Sequence, residues 1–185
     1  MEIKISTQLI LKILQILSWV ILIGLCVEVG GTIVNTVITL FINPEWVKNY
    51  WEGADYLSRL YEFDRGYFAV ITLIMVIVGV LKAIMFYLIV KLFVEKDLNM
   101  TQPFNIKLQS FILNLSYLAL GIGLFSHAAF NFAAWLSEQG LQSLNLQTLH
   151  LAGADVWIFM AVILFVIVQI VKRGIEIQQE NDLTI

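Results

Sequence analysis

Four side chains stand where ionisable or polar chemistry is costly: inside long apolar runs. They are Glu28, Lys82, His127 and Asn131. A charged group in a membrane span is expensive to keep, so its default reading is functional. His127 and Asn131 are four residues apart, which puts them on one face of a helix. Counting inward from the flanking basic residues places Glu28 and His127 at a similar depth, in the outer half. Lys82 lies nearer the middle, offset from Glu28 by about 8 Å of helix rise, and a lysine stem can cover much of that distance. An ion pair between the two would help select which helices touch without necessarily adding stability. The sharp expectation is an outer polar pocket of Glu28, His127, Asn131 and Lys82 that receives a small ligand or a proton. The plainer alternative is interhelical hydrogen bonding that holds the spans together.

Other chemistry is not expected. His127 and His150 are far apart and lack paired ligand spacing, so no metal site follows. Ser126 and His127 are neighbours and cannot face each other on a helix. There is no phosphate loop, no HExxH and no dinucleotide fingerprint. The chain is therefore not read as an enzyme, and no cofactor is expected. Cys26 is the one cysteine, so no intrachain disulfide can form.

The elements that must carry these residues follow from composition. Of 185 residues, 59% are hydrophobic and only 14% charged, against roughly 45–50% and 25% in soluble domains. A soluble chain of this size could not bury that much apolar surface. The expected class is all-α: an integral membrane four-helix bundle whose solvent is largely the lipid bilayer. A net charge of −3 and the lack of a basic stripe exclude direct nucleic-acid binding.

Spans of about 20 apolar residues are predicted at about 13–42, 67–90, 111–135 and 156–171, within one membrane domain. The first is too long for a simple crossing, and Gly30-Gly31 is its cheapest breaking point. Segment 43–66 reads as an outer amphipathic helix. Pro44 suits a helix start, and Trp46, Val47, Tyr50, Trp51, Ala54, Leu57, Leu60 and Tyr61 recur at helical spacing. Such a face covers either the headgroup plane or the protein's own outer ends. Gly79 and Ala83, like Ala119 and Gly123, are four apart and suit close helix contact. Gln15, Asn114 and Gln169 form an inner polar group, read as hydrogen-bonding near the cytoplasmic face.

Orientation follows from basic residues. Lys4, Lys12, Lys91, Lys96, Lys107, Lys172 and Arg173 flank one side; Lys48, Arg59 and Arg65 flank the other. The first set is assigned to the cytoplasm, which places both termini inside. Residues 172–185 then form a cytoplasmic tail, acidic and partly apolar.

The ending Glu180-Asn181-Asp182-Leu183-Thr184-Ile185, the turn Gln102-Pro103-Phe104 and the four-span layout resemble a bacterial membrane family, the domain of unknown function numbered 2975. That resemblance implies an inner (cytoplasmic) membrane protein that anchors, or signals to, a cytoplasmic partner such as a small helix-turn-helix transcription regulator. Its partner-binding residues would be Pro103, Phe104, Glu180, Asp182, Leu183, Thr184 and Ile185. Gln102 stands where relatives often carry asparagine. A homo-oligomer is a reasonable expectation for such a chain. Two other classes are consistent with the residues: a small transporter or transporter subunit using the intramembrane polar site, and a structural subunit of a larger membrane complex.

Overall fold

The computed structural model describes residues 7–95, 104–141 and 146–182. Five α-helices and a 3-10 turn make up the described fold. They are α1 (Thr7–Phe41), the 3-10 turn (Pro44–Asn49), α2 (Ala54–Phe63), α3 (Arg65–Val94), α4 (Ile106–Glu138) and α5 (Ala154–Asp182). Helices α1, α3, α4 and α5 are each long and apolar enough to cross a membrane. The chain is thus a multi-pass membrane protein of the all-α class.

Each helix starts or stops for a local reason. In α1 no proline interrupts the run before Pro44. The hydroxyls of Ser18, Thr32 and Thr36 donate to carbonyls one turn back, at 2.7, 3.0 and 2.7 Å. These bonds let three polar residues sit in an apolar helix without an unsatisfied donor. Asn43 ends the run by accepting from the Glu45 amide, with Pro44 next in line. Asp64 caps α3 through the Tyr67 amide at 2.9 Å, and Asn105 caps α4 through the Leu108 amide at 2.8 Å.

The spans neighbour one another in chain order. Helix α1 lies beside α3, α3 beside α4, and α4 beside α5. Small residues set the closest approaches. A Cβ on Gly123 would come within 2.6 Å of Ile158 Cγ1 and 3.0 Å of the Ile158 amide nitrogen. Val29 of α1 fills the space that a Gly79 side chain would take. Gly79 and Gly123 are thus the contact points their spacing suggested. Packing without a side chain is how helices associate when lipid is as apolar as leucine.

Three readings change. First, α1 runs unbroken through Gly30-Gly31. Its 35 residues measure about 52 Å, well beyond a hydrocarbon core of about 30 Å. A continuous helix keeps every backbone group bonded where water is absent, and this outweighs the glycines' weak helix preference. Second, segment 43–66 is not one helix. It breaks at residues 50–53, where Gly53 adopts a left-handed φ of 71°. Leu149 lies where a Gly53 side chain would go, so only glycine fits there. Val47, Tyr50, Tyr56, Leu57, Leu60 and Tyr61 are buried. Apart from the exposed Trp46 and Trp51, the apolar face therefore packs on the protein itself, joined by Phe68, Ile71, Leu136, Leu149 and Leu151 in a single core. Third, the segment after Lys172-Arg173 continues the last span as helix. Helix α5 continues to Asp182, and Arg173 pairs with Glu176 one turn on, at 2.9 Å. The inner polar group is not knit together either: Gln15, Asn114 and Gln169 share no hydrogen bond among the described residues.

Candidate functional site

One face of α1 defines the site. Gly24, Val27, Glu28, Gly31, Thr32 and Asn35 all line a cavity of about 430 Å³. Their spacing of three and four residues is that of a single helical face. Nothing lies within 4 Å of a Cβ built on Gly24 or Gly31. These glycines hold space open. The opposite wall comes from the outer layer: Asn49, Tyr50, Trp51, Glu52, Thr148, Leu149 and His150, with Met75 of α3.

The 3-10 turn is fastened to α1 by polar contacts. The Asn35 amide donates to the Asn49 carbonyl at 3.1 Å, and the Trp46 indole donates to the Asn35 side-chain oxygen at 3.0 Å. The Tyr50 and Thr36 hydroxyls share a hydrogen bond of 2.8 Å. Burial pushes the Tyr50 hydroxyl up from 10.0 to about 12, against a smaller downward effect of the Thr36 bond. The folded state therefore holds that proton more tightly than the unfolded chain. The associated stability is complete below about pH 10 and is lost as the pH climbs through about 12. An ultraviolet titration of the folded protein is expected to show a late tyrosinate step near pH 12 that is absent in Tyr50→Phe. A wild-type curve superimposable on that of the variant would contradict this.

The chemical centre of the cavity is His150. Its Nδ1 lies 3.0 Å from Glu28 Oε1, and its Nε2 lies 3.4 Å from Glu52 Oε2. Three separate elements meet there: α1, the outer cap and the loop before α5. Several features aim the ring. Leu149 and Leu151 on either side are buried at 2% and 1% exposure. The backbone at His150 is left-handed, φ 56°, a conformation that is uncommon outside glycine but enriched for histidine. It costs about 1–3 kcal/mol when the surroundings enforce it. The Lys82 ammonium donates to the His150 carbonyl at 2.8 Å and sits 5.9 Å from the Trp157 ring. Lys82 thereby ties α3 to the same loop.

His150 thus lies within ion-pair distance of two carboxylates that belong to different elements. Glu28, Glu52 and His150 are each between a third and two-thirds exposed. Ion pairs so exposed are worth about 0–1 kcal/mol each. At that size the two contacts do not hold the fold.

Of the expected pocket residues, Glu28 lines the cavity, and Glu28 and Lys82 together line a neighbouring void of about 20 Å³. His127 and Asn131 do not join them. Both are exposed on α4, and the histidine at the cavity is His150. No group of three or more acidic, histidine or cysteine residues suited to a metal occurs among the described residues. At the other end, Phe104 packs its ring against Gly174 of α5, about 2.9 Å from where a Cβ would stand. Glu180 lies on the last turns of α5, and Asp182 is its final residue. Pro103, Leu183, Thr184 and Ile185 lie outside the described residues.

The family model described as protein of unknown function (DUF2975) matches residues 52–185. The match begins at Glu52 and takes in Lys82 and His150; Glu28 precedes it. Comparison with curated proteins and with solved structures gives no match. On the extent of the family match, the chain belongs to DUF2975.

Proposed function

We propose that this DUF2975 chain is a membrane-embedded regulatory protein. Its outer cavity receives a small signal, and its opposite face engages a cytoplasmic protein partner. The observation that carries this reading is the His150 clamp at the cavity. A single titratable ring bridges Glu28 and Glu52 while its own backbone is held by Lys82. Anything that prefers the clamp open or closed shifts the way α1 sits on α3 and the outer cap. A ligand acts on such an equilibrium only through unequal affinity for the two states.

The far face supplies the output. Both termini lie on the same side after four crossings, and the basic residues assign that side to the cytoplasm. There α5 projects as a helix from Gly174 to Asp182 with Phe104 seated at its base. The partner is a soluble protein that binds this helix and the adjoining turn. A small helix-turn-helix regulator, implied by the family resemblance, is the first candidate.

The test is recovery of partner by the full chain, by a chain truncated after Arg173, and by Gly31→Leu. Leucine at position 31 fills the cavity, meets no atom within 4 Å at its Cβ, and raises helix propensity by about 1 kcal/mol. Truncation is expected to lower recovery at least about tenfold, the effect of losing roughly 1.4 kcal/mol of binding. Gly31→Leu fills the cavity and is expected to shift recovery away from the wild-type level. Equal recovery by the full and truncated chains would remove the inner helix from the proposal. Wild-type recovery by Gly31→Leu would remove the cavity.

A further inference from the structure

One face of α4 is turned outward along the span. Tyr117, Gly121, Leu124, Ala128, Asn131 and Trp135 follow one another at alternating steps of four and three. That is the seam spacing of two helices packed side by side with a slight left-handed twist. No helix of this chain covers the seam. Gly121 is half-buried, and a Cβ there would stand 3.3 Å from the Leu81 side chain of α3. The other five residues are exposed. The buried face of α4, with Ala119, Ile122, Ser126 and Ala129, lies on the opposite side.

Depth makes this face informative. Tyrosine and tryptophan mark the two membrane–water interfaces. Tyr117 and Trp135 are separated by about 27 Å of helix rise, close to a hydrocarbon core of about 30 Å. Trp135 is held at its level by stacking on Phe132 at 5.7 Å and by meeting Tyr67 edge-on at 5.2 Å. Asn131 then lies about 6 Å inside the outer interface, and His127, at the border of the seam, about 12 Å inside. Both are exposed, and neither has a hydrogen-bond partner among the described residues. Polar groups at that depth are costly unless protein bonds them, because water is absent and a lipid tail offers nothing. The face itself specifies its cover. Copies inserted by the same basic-residue rule point the same way. A two-fold axis normal to the membrane then sets each seam residue against its own counterpart at equal depth. An asparagine carries donors and an acceptor in one side chain, so Asn131 is complementary to itself. Ala128, next to it on the seam, lets two backbones come close. An asparagine in an otherwise apolar seam also fixes register.

We propose that α4 is a self-association face: two copies of this chain pair along the Tyr117–Trp135 seam, with Asn131 hydrogen-bonded across the dyad. The inference is independent of the outer cavity and of the inner helix. The test uses the full chain with Cys26→Ala, reconstituted in phospholipid vesicles at low protein density. Leu124→Cys on the seam is compared with Val166→Cys on α5; the two positions are equally exposed, at 55%. Leu124→Cys is expected to form a disulfide-linked dimer at least about tenfold faster, since pairing raises the local concentration of its counterpart. Counting of fluorescently labelled chains per vesicle gives the dissociation constant of the dimer. Asn131→Leu is expected to raise it about threefold to tenfold, the effect of losing an interhelical hydrogen bond. Equal cross-linking at positions 124 and 166 would overturn the proposal, as would an unchanged dissociation constant in Asn131→Leu. Chains that stay single at every density would leave lipid as the cover of this face. Cross-linking of Leu124→Cys to a different protein in cell membranes would give the face to another partner. Either of these outcomes also overturns the pairing of copies. Circular dichroism of each variant separates loss of pairing from loss of fold.

Discussion

Gly123→Val is expected to destabilise the folded chain by about 1–3 kcal/mol, the range of overpacking at a rigid contact. The magnitude follows from what stands opposite. A Cβ at position 123 would meet not only the Ile158 side chain but the Ile158 amide nitrogen at 3.0 Å and the Ala154 carbonyl at 3.2 Å. A side chain can rotate away; backbone at the first turn of α5 cannot. Helices α4 and α5 would have to separate, and their pairing is the most extensive in the molecule. Ala119 and Ala161, both fully buried, would lose contact together. Lipid gives no hydrophobic force to restore the pairing, since tails solvate an exposed alanine as well as a neighbouring helix does. Reversible unfolding in mixed micelles measures the loss. Gly31→Leu is the matched control, because that glycine faces open space, and it is expected to change stability by less than about 1 kcal/mol. Equal effects of the two substitutions would show that the glycines matter for helix propensity alone and not for contact.

His150→Gln is expected to free the outer layer while sparing the bundle. Glutamine keeps an amide donor but carries no positive charge and cannot span both carboxylates in the ring's geometry. Loss of the two exposed pairs amounts to at most about 2 kcal/mol. Hydrogen exchange at residues 50–53 and 146–151 is then expected to quicken about tenfold. The spans are expected to stay protected, since Phe68, Ile71 and Val78 remain buried without the clamp. Comparison with His150→Gly separates two causes. Glycine relieves the left-handed backbone at φ 56°, so it should lose the clamp yet keep the loop closer to its native path. If both variants exchange like wild type, the contacts to Glu28 and Glu52 do not bias the outer layer.

Much of this architecture is legible in the residues, for identifiable reasons. Runs such as Ile71–Val80 are apolar on all sides, and only a helix in lipid satisfies such a backbone. All four predicted spans are there, and capping by Asp64 and Asn105 fixes where α3 and α4 start, before the hydrophobic runs begin. Glu28 and Lys82 announce themselves as charges in apolar surroundings, and both reach the outer site. His127 looks equally conspicuous, but it is exposed on α4, a helix that does not touch α1. Helix phase relative to neighbours is a tertiary property that spacing within one helix does not encode. His150 is hidden for the opposite reason. It sits in a polar loop where a histidine attracts no notice, and its position depends on a left-handed backbone. The available clue is its bracketing by Leu149 and Leu151, two leucines of a leucine-rich connection, which are buried and anchor the loop beside the cavity. Gly30-Gly31 carries a similar lesson. Glycines in a span suggest a break when only propensity is weighed, yet Gly31 with Gly24 makes room.

The central claim is that the contacts of His150 with Glu28 and Glu52 fasten the cap to the bundle. The direct measurement is an electron–electron distance between spin labels at exposed Lys48 on the cap and exposed Glu138 at the end of α4, placed in a Cys26→Ala background. The distance distribution is predicted to be narrow in the otherwise wild-type chain and broad in His150→Gln. The same distribution in both chains would contradict the account.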